Sequence, residues 1–197
     1  MTDLKNRFIE IYGGSPDGIR VFSSAGRVNL IGEHTDYNGG FVFPAAISFC
    51  STVFVRKTDD GKIKLAATDL PDRVVLDIDR LNEYRDLRWG NYQAGVAYVL
   101  QQAGYDICSC EILYHDTVPF GAGLSSSAAI EVVMALALAT FSNEKRGITE
   151  PVSMIEMAKL SQKAENIYCG VSCGIMDQFA SAMGKKDHAI FLDCKDL

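Results

Sequence analysis

The segment that most constrains the fold runs from Ser125 to Thr140 and is apolar on nearly every side. Its spacing predicts a helix whose apolar residues fall on more than one face. A helix of this kind is buried against neighbours on most sides, so we expect it to be central. We do not expect it to span a membrane, because the apolar stretch from Ala128 to Phe141 contains Glu131 and is shorter than the roughly 20 residues that a span needs.

Patterns on either side of this segment predict the surrounding elements. Helices are predicted at 2–12, 89–103, 153–168 and 175–183, and strands at 19–23, 28–31, 41–47, 51–57, 62–67, 74–78, 111–114 and 188–194. The turn sequence Asp59-Asp60-Gly61 is a hairpin signal, so the strands on either side of it are expected to pair. The strand at 28–31 is expected to be buried. We predict one α+β domain, with helices on one side of a largely antiparallel sheet.

Composition excludes several classes of function. A formal net charge of −6 and the lack of a basic run argue against nucleic-acid binding as the main activity. Residues 1–13 lack the apolar core of a signal peptide. The six cysteines are dispersed and lack zinc-site spacing, so we predict free thiols in a reducing compartment. We therefore expect a cytoplasmic protein without a nucleic-acid or membrane partner.

The first motif is Gly-Arg-Val-Asn-Leu-Ile-Gly-Glu-His-Thr-Asp at 26–36. Arg27 is followed there by a cluster of polar groups, namely Glu33, His34 and Asp36. Such a cluster just past a strand can present hydrogen-bonding groups to a polyhydroxylated ligand. An ordinary solvated surface loop explains this composition better when the motif is taken alone. Two further motifs make a functional role the stronger hypothesis.

The second motif, at 119–129, is Pro-Phe-Gly-Ala-Gly-Leu-Ser-Ser-Ser-Ala-Ala; we name residues 119–127 the glycine-serine loop. Gly121 and Gly123 permit a tight turn and close approach to a ligand. The serines bring N–H and hydroxyl groups to a helix N-terminus, which favours an anion. This is the make-up of a phosphate site, although the Gly-Lys-Ser/Thr ending of a P-loop is absent. A dinucleotide fingerprint would need a βαβ unit, and a plain turn with a serine N-cap is equally compatible.

The third motif is Cys-Gly-Ile-Met-Asp-Gln at 173–178. Asp177 falls in the first turn of a predicted helix, where the dipole favours a negative charge. A carboxylate there can take a proton from a sugar hydroxyl or hold that hydroxyl for attack; the alternative is a residue that only stabilises the helix. Glu165 ends the preceding amphipathic helix and is a candidate magnesium ligand. An ordinary solvent-facing glutamate is the alternative.

Taken together, the three motifs resemble those of the galactokinases, within the GHMP kinase superfamily. The resemblance rests on three segments, in this order: Gly-Arg-Val-Asn-Leu-Ile-Gly-Glu-His-Thr-Asp-Tyr, Gly-Leu-Ser-Ser-Ser-Ala-Ala and Cys-Gly-Ile-Met-Asp-Gln-Phe. The central motif indicates only the superfamily, whereas the first is specific to galactokinases. The resemblance covers nearly the whole chain and departs at Ala25, where a proline is usual. It implies a GHMP kinase N-terminal domain and transfer of phosphate from ATP to the C1 hydroxyl of galactose.

The resemblance also implies a role for each matching residue. Asp177 would be the catalytic carboxylate beside the C1 hydroxyl, and Arg27 would stabilise charge on the transferred phosphoryl group. The galactose hydroxyls would be held by Glu33, His34, Asp36 and Gly174. The ATP site would comprise Gly121, Ala122, Gly123, Leu124, Ser125, Ser126 and Ser127, with Trp89 and Tyr92 near the nucleotide. The magnesium ion would be bound by Glu165 together with Ser126 or Ser127.

Galactokinases resemble this chain only through their N-terminal half. We therefore expect residues 1–197 to form an N-terminal domain that carries the phosphate loop and the sugar site, with the C-terminal domain missing. Such a chain is expected to have little kinase activity and to self-associate through exposed apolar surface. Two alternatives stay open: a sensor that binds sugar and ATP without transferring phosphate, and an N-acetylgalactosamine kinase. The intact Ser127-Ala128 pair, which some such sensors lack, favours the enzyme.

Overall fold

The computed structural model describes residues 2–196. In chain order the elements are α1 (Thr2–Tyr12), β1 (Arg20–Asn29), β2 (Phe41–Val42), β3 (Pro44–Lys57), β4 (Lys62–Ala67), β5 (Val74–Asp77), α2 (Asn91–Gln102), β6 (Cys110–Asp116), α3 (Ser126–Lys145), α4 (Met154–Ile167), α5 (Met176–Met183) and β7 (Leu192–Asp193). Short 3-10 turns occupy Asp36–Asn38, Ile78–Glu83 and Arg88–Gly90. All six cysteines lie within the described residues and are free thiols.

Five strands form one sheet in the order β1-β3-β6-β4-β5, and β2 pairs separately with β7. The β4–β6 pair is parallel, whereas the β1–β3, β3–β6 and β4–β5 pairs are antiparallel. Strand β6 is central, and its residues 110–114 are all buried. The prediction of an α+β domain with a largely antiparallel sheet is therefore confirmed.

Helix α3 is the central helix that its apolar sequence predicts. Val133 and Leu138 are fully buried in one cluster with Val53 and Ile112 of the sheet. Among residues 2–196, α3 is the one helix whose length and composition would also allow it to cross a membrane, and 67% of its most apolar window is buried inside the domain. Packing within the fold therefore accounts for its apolar character.

The helices occupy both faces of the sheet, which corrects the expectation of helices on one side. Helix α3 packs on one face with α2 and α5 beside it, and α4 packs against these three helices. Helix α1 covers the other face, where Phe8 contacts a cluster that includes Phe54 and Leu113. The cause is the alternation of side chains along a strand: Val53 and Val55 point to α3, so Phe54 points the opposite way.

The predicted hairpin between β3 and β4 is wrong, because β6 lies between these two strands. The turn itself forms as expected, with Gly61 at φ +72°. Its backbone is bonded to the residue before β6: Thr58 N donates to Ser109 O and Gly61 N donates to Ser109 Oγ, each at 2.9 Å. Local turn chemistry therefore predicted the turn, while the buried β6 determined which strands pair.

Two other strand predictions need correction. The first motif does not contain a separate buried strand, since Val28 lies within the continuous β1 while Leu30 and Ile31 follow its end and are 59% and 71% exposed. The last strand is limited to two residues, Leu192–Asp193.

We name one exposed group of side chains the apolar patch: Leu30, Ile31, Phe41 and Phe191. Within it the rings of Phe41 and Phe191 stack with centroids 5.1 Å apart.

Candidate functional site

The side chains of Arg27 on β1 and Asp177 on α5 form a bidentate ion pair. Arg27 Nε donates to Asp177 Oδ1 at 2.8 Å, and Arg27 Nη2 donates to Asp177 Oδ2 at 2.9 Å. Charge-assisted pairs of this geometry are roughly twice as strong as neutral hydrogen bonds and fix the orientation of both groups. The Asp177 side chain is still 32% exposed. The two residues predicted for catalysis thus lie together, with the carboxylate accessible to a ligand.

Strand β1 brings this pair against the glycine-serine loop. A bulge in β1 falls between Ala25 and Arg27. Arg27 N donates to Leu124 O at 3.1 Å, and Arg27 Nη1 donates to Gly123 O at 2.7 Å. Gly26 permits this approach, because a Cβ at that position would lie 2.8 Å from Leu124 O. The arginine therefore holds the carboxylate and the loop at the same time.

The glycine-serine loop turns sharply before it enters α3. Gly121 and Gly123 have φ values of +71° and +70°, which glycine adopts without strain. Ser125 is also left-handed, with φ +57°, and its hydroxyl does not cap the helix. Instead Ser125 Oγ donates to Asp177 Oδ2 at 2.5 Å. The alternative of a serine N-cap is therefore wrong.

The backbone of this loop has free hydrogen-bond donors. Within the described part of the chain, the N–H groups of residues 123–128 donate no hydrogen bond. Consecutive free N–H groups at the start of a 20-residue helix create a positive site for an anion. Gly123 is exposed and residues 124, 126 and 127 are half-buried, so a phosphate group has access to this end of the loop.

The loop after β1 presents Glu33 and His34 to solvent. Asn29 Nδ2 donates to Glu33 Oε1 at 2.9 Å, and His34 Nδ1 lies 2.7 Å from the Tyr37 hydroxyl. His34 has φ +62°, a strained value for a residue other than glycine and one that is enriched at functional sites. Among residues 2–196, neither side chain bonds directly to Asp177. The structure thus holds both groups in fixed positions without bringing them into contact with the ion pair.

Asp36 approaches the start of α5 very closely. A Cβ on Gly174 would be only 1.9 Å from Asp36 Oδ2, so only glycine leaves room for this carboxylate. Asp36 also lines a cleft of about 610 Å³ between its own turn and α4, together with Gln162, Lys163 and Gly174. The pair Asp36–Gly174 therefore links the first motif to the third one.

Trp89 lies in the 3-10 turn before α2. It lines a smaller cleft of about 270 Å³ with Val74 and Arg88. Its Nε1 atom is buried and has no hydrogen-bond partner within residues 2–196. Tyr92, one turn further on, is half-buried, and burial followed by the charge of Glu165 raises its pKa.

Glu165 is 6% exposed, so the alternative of a solvent-facing glutamate is wrong. Its Oε2 atom accepts from Gln178 Nε2 at 2.6 Å and from the Cys173 thiol at 3.4 Å. Burial raises the pKa of Glu165, although these two hydrogen bonds act in the opposite direction.

Its Oε1 atom accepts no hydrogen bond from the described residues. The hydroxyls of Ser126 and Ser127 are likewise unbonded there. A free carboxylate oxygen and free hydroxyls are the oxygen ligands that Mg²⁺ prefers, with phosphate oxygens and water completing its shell. Residues 2–196 contain no cluster of three His, Cys, Asp or Glu side chains that would hold a metal without such help.

The sequence analysis missed two buried polar residues beneath this site, Glu131 on α3 and Gln178 on α5. Both are 0% exposed, and Gln178 Nε2 donates to Glu131 Oε2 at 3.0 Å. Burial and the nearby charge of Glu165 raise the pKa of Glu131 well above its usual range. The sequence did offer a signal for Glu131, since it is a single glutamate in an otherwise apolar helix. The sequence analysis used it only as an argument against a membrane span.

Two protein-family models together match most of the chain. Residues 6–57 match the galactokinase galactose-binding signature, and residues 91–185 match the GHMP kinases N-terminal domain. The first range contains Arg27 and the polar cluster after β1. The second contains the glycine-serine loop, Glu165 and Asp177.

Curated relatives extend this match over the whole chain. The chain is 46% identical over 197 residues to a galactokinase of Clostridium tetani, covering all of this chain and 48% of that protein. It is 40% identical over 198 residues to a galactokinase of Bacillus subtilis, covering 99% of this chain and 49% of that protein. The chain belongs to the galactokinase family. It spans about half the length of the curated galactokinases that it matches.

Solved structures agree on the fold. A crystal structure of Lactococcus lactis galactokinase complexed with galactose superposes with a TM-score of 0.90 at 39% identity, covering 100% of this chain and 50% of that one. The mevalonate kinase of Methanococcus jannaschii superposes with a TM-score of 0.73 at 20% identity, covering 91% of this chain and 55% of that one. The second likeness shows the fold alone, which is that of the GHMP kinase N-terminal domain.

Proposed function

We propose that this chain is the N-terminal domain of a galactokinase, which transfers the γ-phosphoryl group of ATP to the C1 hydroxyl of galactose. The observation that carries the proposal is the ion pair of Arg27 and Asp177 held against the glycine-serine loop. An accessible carboxylate lies there within one hydrogen bond of a phosphate-binding loop. Phosphoryl transfer needs mainly positioning and stabilisation of charge, and these groups supply both.

In this proposal Asp177 orients the sugar hydroxyl and Arg27 stabilises the phosphoryl group. Asp177 Oδ1 accepts one hydrogen bond from Arg27 and keeps a lone pair for the C1 hydroxyl. Arg27 uses three of its five N–H groups, two on Asp177 and one on Gly123 O. The remaining two face no described acceptor and are free for the transferred phosphoryl oxygens, where they stabilise developing negative charge.

The glycine-serine loop would bind the ATP phosphates through the free N–H groups of residues 123–128. Glu165 and the hydroxyl of Ser126 or Ser127 would hold a magnesium ion, with Trp89 nearer the nucleotide. When bound, Mg²⁺ neutralises charge on the phosphate oxygens. The loop would supply N–H donors to the phosphates, and Glu165 would act on them through the cation.

Galactose would be bound by the polar cluster after β1. Glu33 and Asp36 would accept hydrogen bonds from sugar hydroxyls, His34 would contribute a ring nitrogen, and Gly174 would contribute its backbone, with the Asp36 carboxylate in the space that a side chain there would fill. The position of Asp36 supports this role, since its side chain lines the cleft together with Lys163 and Gly174. We place this enzyme in the cytoplasm.

A coupled assay tests the proposal in the full-length protein that contains these residues. ATP consumption is measured with galactose, N-acetylgalactosamine and mevalonate as separate acceptors. We expect turnover with galactose and a product phosphorylated at C1. Turnover with N-acetylgalactosamine alone would reassign the sugar, and binding of galactose and ATP without turnover would favour a sensor instead.

A further inference from the structure

One side-chain amide joins three helices beneath the phosphate site. Gln178 Nε2 on α5 donates to Glu131 Oε2 on α3 at 3.0 Å and to Glu165 Oε2 on α4 at 2.6 Å. The two glutamates and the glutamine are each buried, at 0%, 6% and 0% exposure. Both hydrogens of the amide are therefore used, one on each carboxyl group.

No cation compensates this pair of acids. Among the salt bridges of residues 2–196, neither Glu131 nor Glu165 has a lysine, arginine or histidine partner. A buried acid without a cation depends on its hydrogen bonds. The amide of Gln178 is consequently the main polar contact that these two side chains share.

Glu131 determines which end of the Gln178 amide faces Glu165. Its Oε2 atom accepts from Nε2, so the amide turns its nitrogen toward both acids and its own Oε1 atom away, buried and without a partner. If Glu131 were apolar, the amide would lose one of its two acceptors, and only its hydrogen bond to Glu165 would oppose a rotation that turns the carbonyl end toward that carboxylate. The orientation of Glu165 thus depends on a residue that it does not contact.

This orientation selects the oxygen that Glu165 offers. Its Oε2 atom is occupied by Gln178 and the Cys173 thiol, and its Oε1 atom is left without a hydrogen bond from the described residues. Second partners of a metal-binding side chain commonly fix its geometry in this way. Glu131 and Gln178 are second partners of this kind for Glu165.

We propose that Glu131 and Gln178 are positioning residues that hold Glu165 Oε1 toward the magnesium ion of the bound nucleotide. The inference rests on the proposed function, because it takes Glu165 as the magnesium ligand. It adds a buried pair that touches neither nucleotide nor sugar and acts through Glu165. Helix α3 thereby contributes twice to the nucleotide site, through its N-terminal N–H groups and through Glu131 in its second turn.

The test compares Glu131→Leu with Glu131→Gln in the full-length enzyme. Leucine removes the acceptor, whereas glutamine keeps an oxygen that can accept from Gln178 Nε2. Affinity for Mn²⁺ in the presence of ADP is measured by electron paramagnetic resonance, and the Mg²⁺ concentration for half-maximal turnover is measured in parallel. We expect Glu131→Leu to lower the Mn²⁺ affinity, and to raise the Mg²⁺ concentration for half-maximal turnover, by about 10-fold or more. Both quantities should stay within about threefold of the wild type in Glu131→Gln.

Two further variants separate positioning from stability. Ser142→Ala removes a buried hydroxyl from the same helix, where it accepts from Asp106 N at 2.8 Å, and should lower the melting temperature without changing Mn²⁺ affinity. Gln178→Asn shortens the bridge and should weaken Mn²⁺ binding even if Glu131→Leu does not fold. Unchanged Mn²⁺ affinity in Glu131→Leu or in Gln178→Asn, or an equal loss in Glu131→Gln, would overturn the inference. A wild-type protein that binds Mn²⁺ with ADP but lacks turnover would instead overturn the proposed function.

Discussion

At the scale of residues, one carboxylate on α5 joins β1 to the glycine-serine loop. Asp177 accepts from Arg27 on β1 and from Ser125 at the end of the glycine-serine loop. Gly174, three residues earlier, leaves the space that Asp36 occupies. Changes at these few positions should therefore separate chemistry from sugar binding.

Asp177→Ala should abolish turnover while galactose binding survives in part. The substitution removes the group that orients the C1 hydroxyl, and a general base alone contributes about 10²–10⁴-fold. ATP consumption and calorimetric titration with galactose measure the two effects separately in the full-length enzyme. Asp3→Ala, on the exposed start of α1, is the matched control. Near-normal turnover in Asp177→Ala would refute the role assigned to this residue.

Gly174→Ala should raise the KM for galactose by about 10- to 100-fold, the equivalent of one hydrogen bond to a charged group. The new methyl group would meet Asp36 Oδ2, which is the free end of a side chain and can move away. Folding should therefore persist while the carboxylate is displaced. Gly170→Ala, whose Cβ would meet nothing within 4 Å, is the control for altered glycine geometry in the same segment. An equal rise in KM for both variants would argue against a role for Asp36 in sugar binding.

At the scale of elements, the contact between β1 and the glycine-serine loop holds the site together. The bulge in β1 turns Arg27 toward the loop, and its N–H donates to Leu124 O. The two backbones approach each other so closely that no side chain fits at Gly26. The loop is consequently held by its backbone contacts with Arg27 and by the hydrogen bond from Ser125 to Asp177.

Gly26→Ala should lower stability by about 1–3 kcal/mol, as overpacking does, and should also raise the KM for ATP. The added Cβ would lie 2.8 Å from Leu124 O, so the loop must shift away from Arg27. Thermal unfolding and steady-state kinetics measure the two quantities. Gly104→Ala is the matched control: its φ of +88° gives a similar loss of stability, but its Cβ meets nothing within 4 Å. If both variants keep a normal KM for ATP, the contact between β1 and the loop does not shape the nucleotide site.

At the scale of the whole molecule, the described residues form an open site rather than an enclosed one. Glu33, His34 and residues 121–123 are exposed. The apolar patch lies beside β2 and β7, with Phe191 72% exposed. Exposed apolar groups such as the stacked rings of Phe41 and Phe191 mark surfaces that associate with other proteins. Both features bear on how residues 1–197 behave by themselves.

The chain of residues 1–197 should show little or no galactose-dependent ATP consumption when it is produced alone. The residues proposed to bind sugar and phosphate are exposed, so both substrates would stay in contact with water. This contact weakens the electrostatic stabilisation of the transition state. The coupled assay, run at equal molar concentration beside the full-length protein, makes the comparison. Turnover at the full-length rate would contradict this expectation.

The same chain should self-associate through the apolar patch. Phe191→Ser removes half of the stacked pair with Phe41 and should shift the association to higher protein concentration. Light scattering across a concentration series measures the effect. Leu70→Ser, at an exposed apolar residue between β4 and β5, is the control. A wild-type chain that stays monomeric at high concentration would contradict the prediction.

The amino-acid sequence by itself determined the local features of this protein. The apolar pattern of α3 predicted a central helix, and the three motifs indicated the family, because residue spacing and turn chemistry act over a few residues. Only the tertiary structure decided which strands pair and which side chains meet. Arg27 and Asp177 are 150 residues apart in the chain yet share two hydrogen bonds, and Gln178 joins two buried glutamates from different helices. Such contacts depend on how the sheet and helices pack, and local periodicity carries no record of that packing.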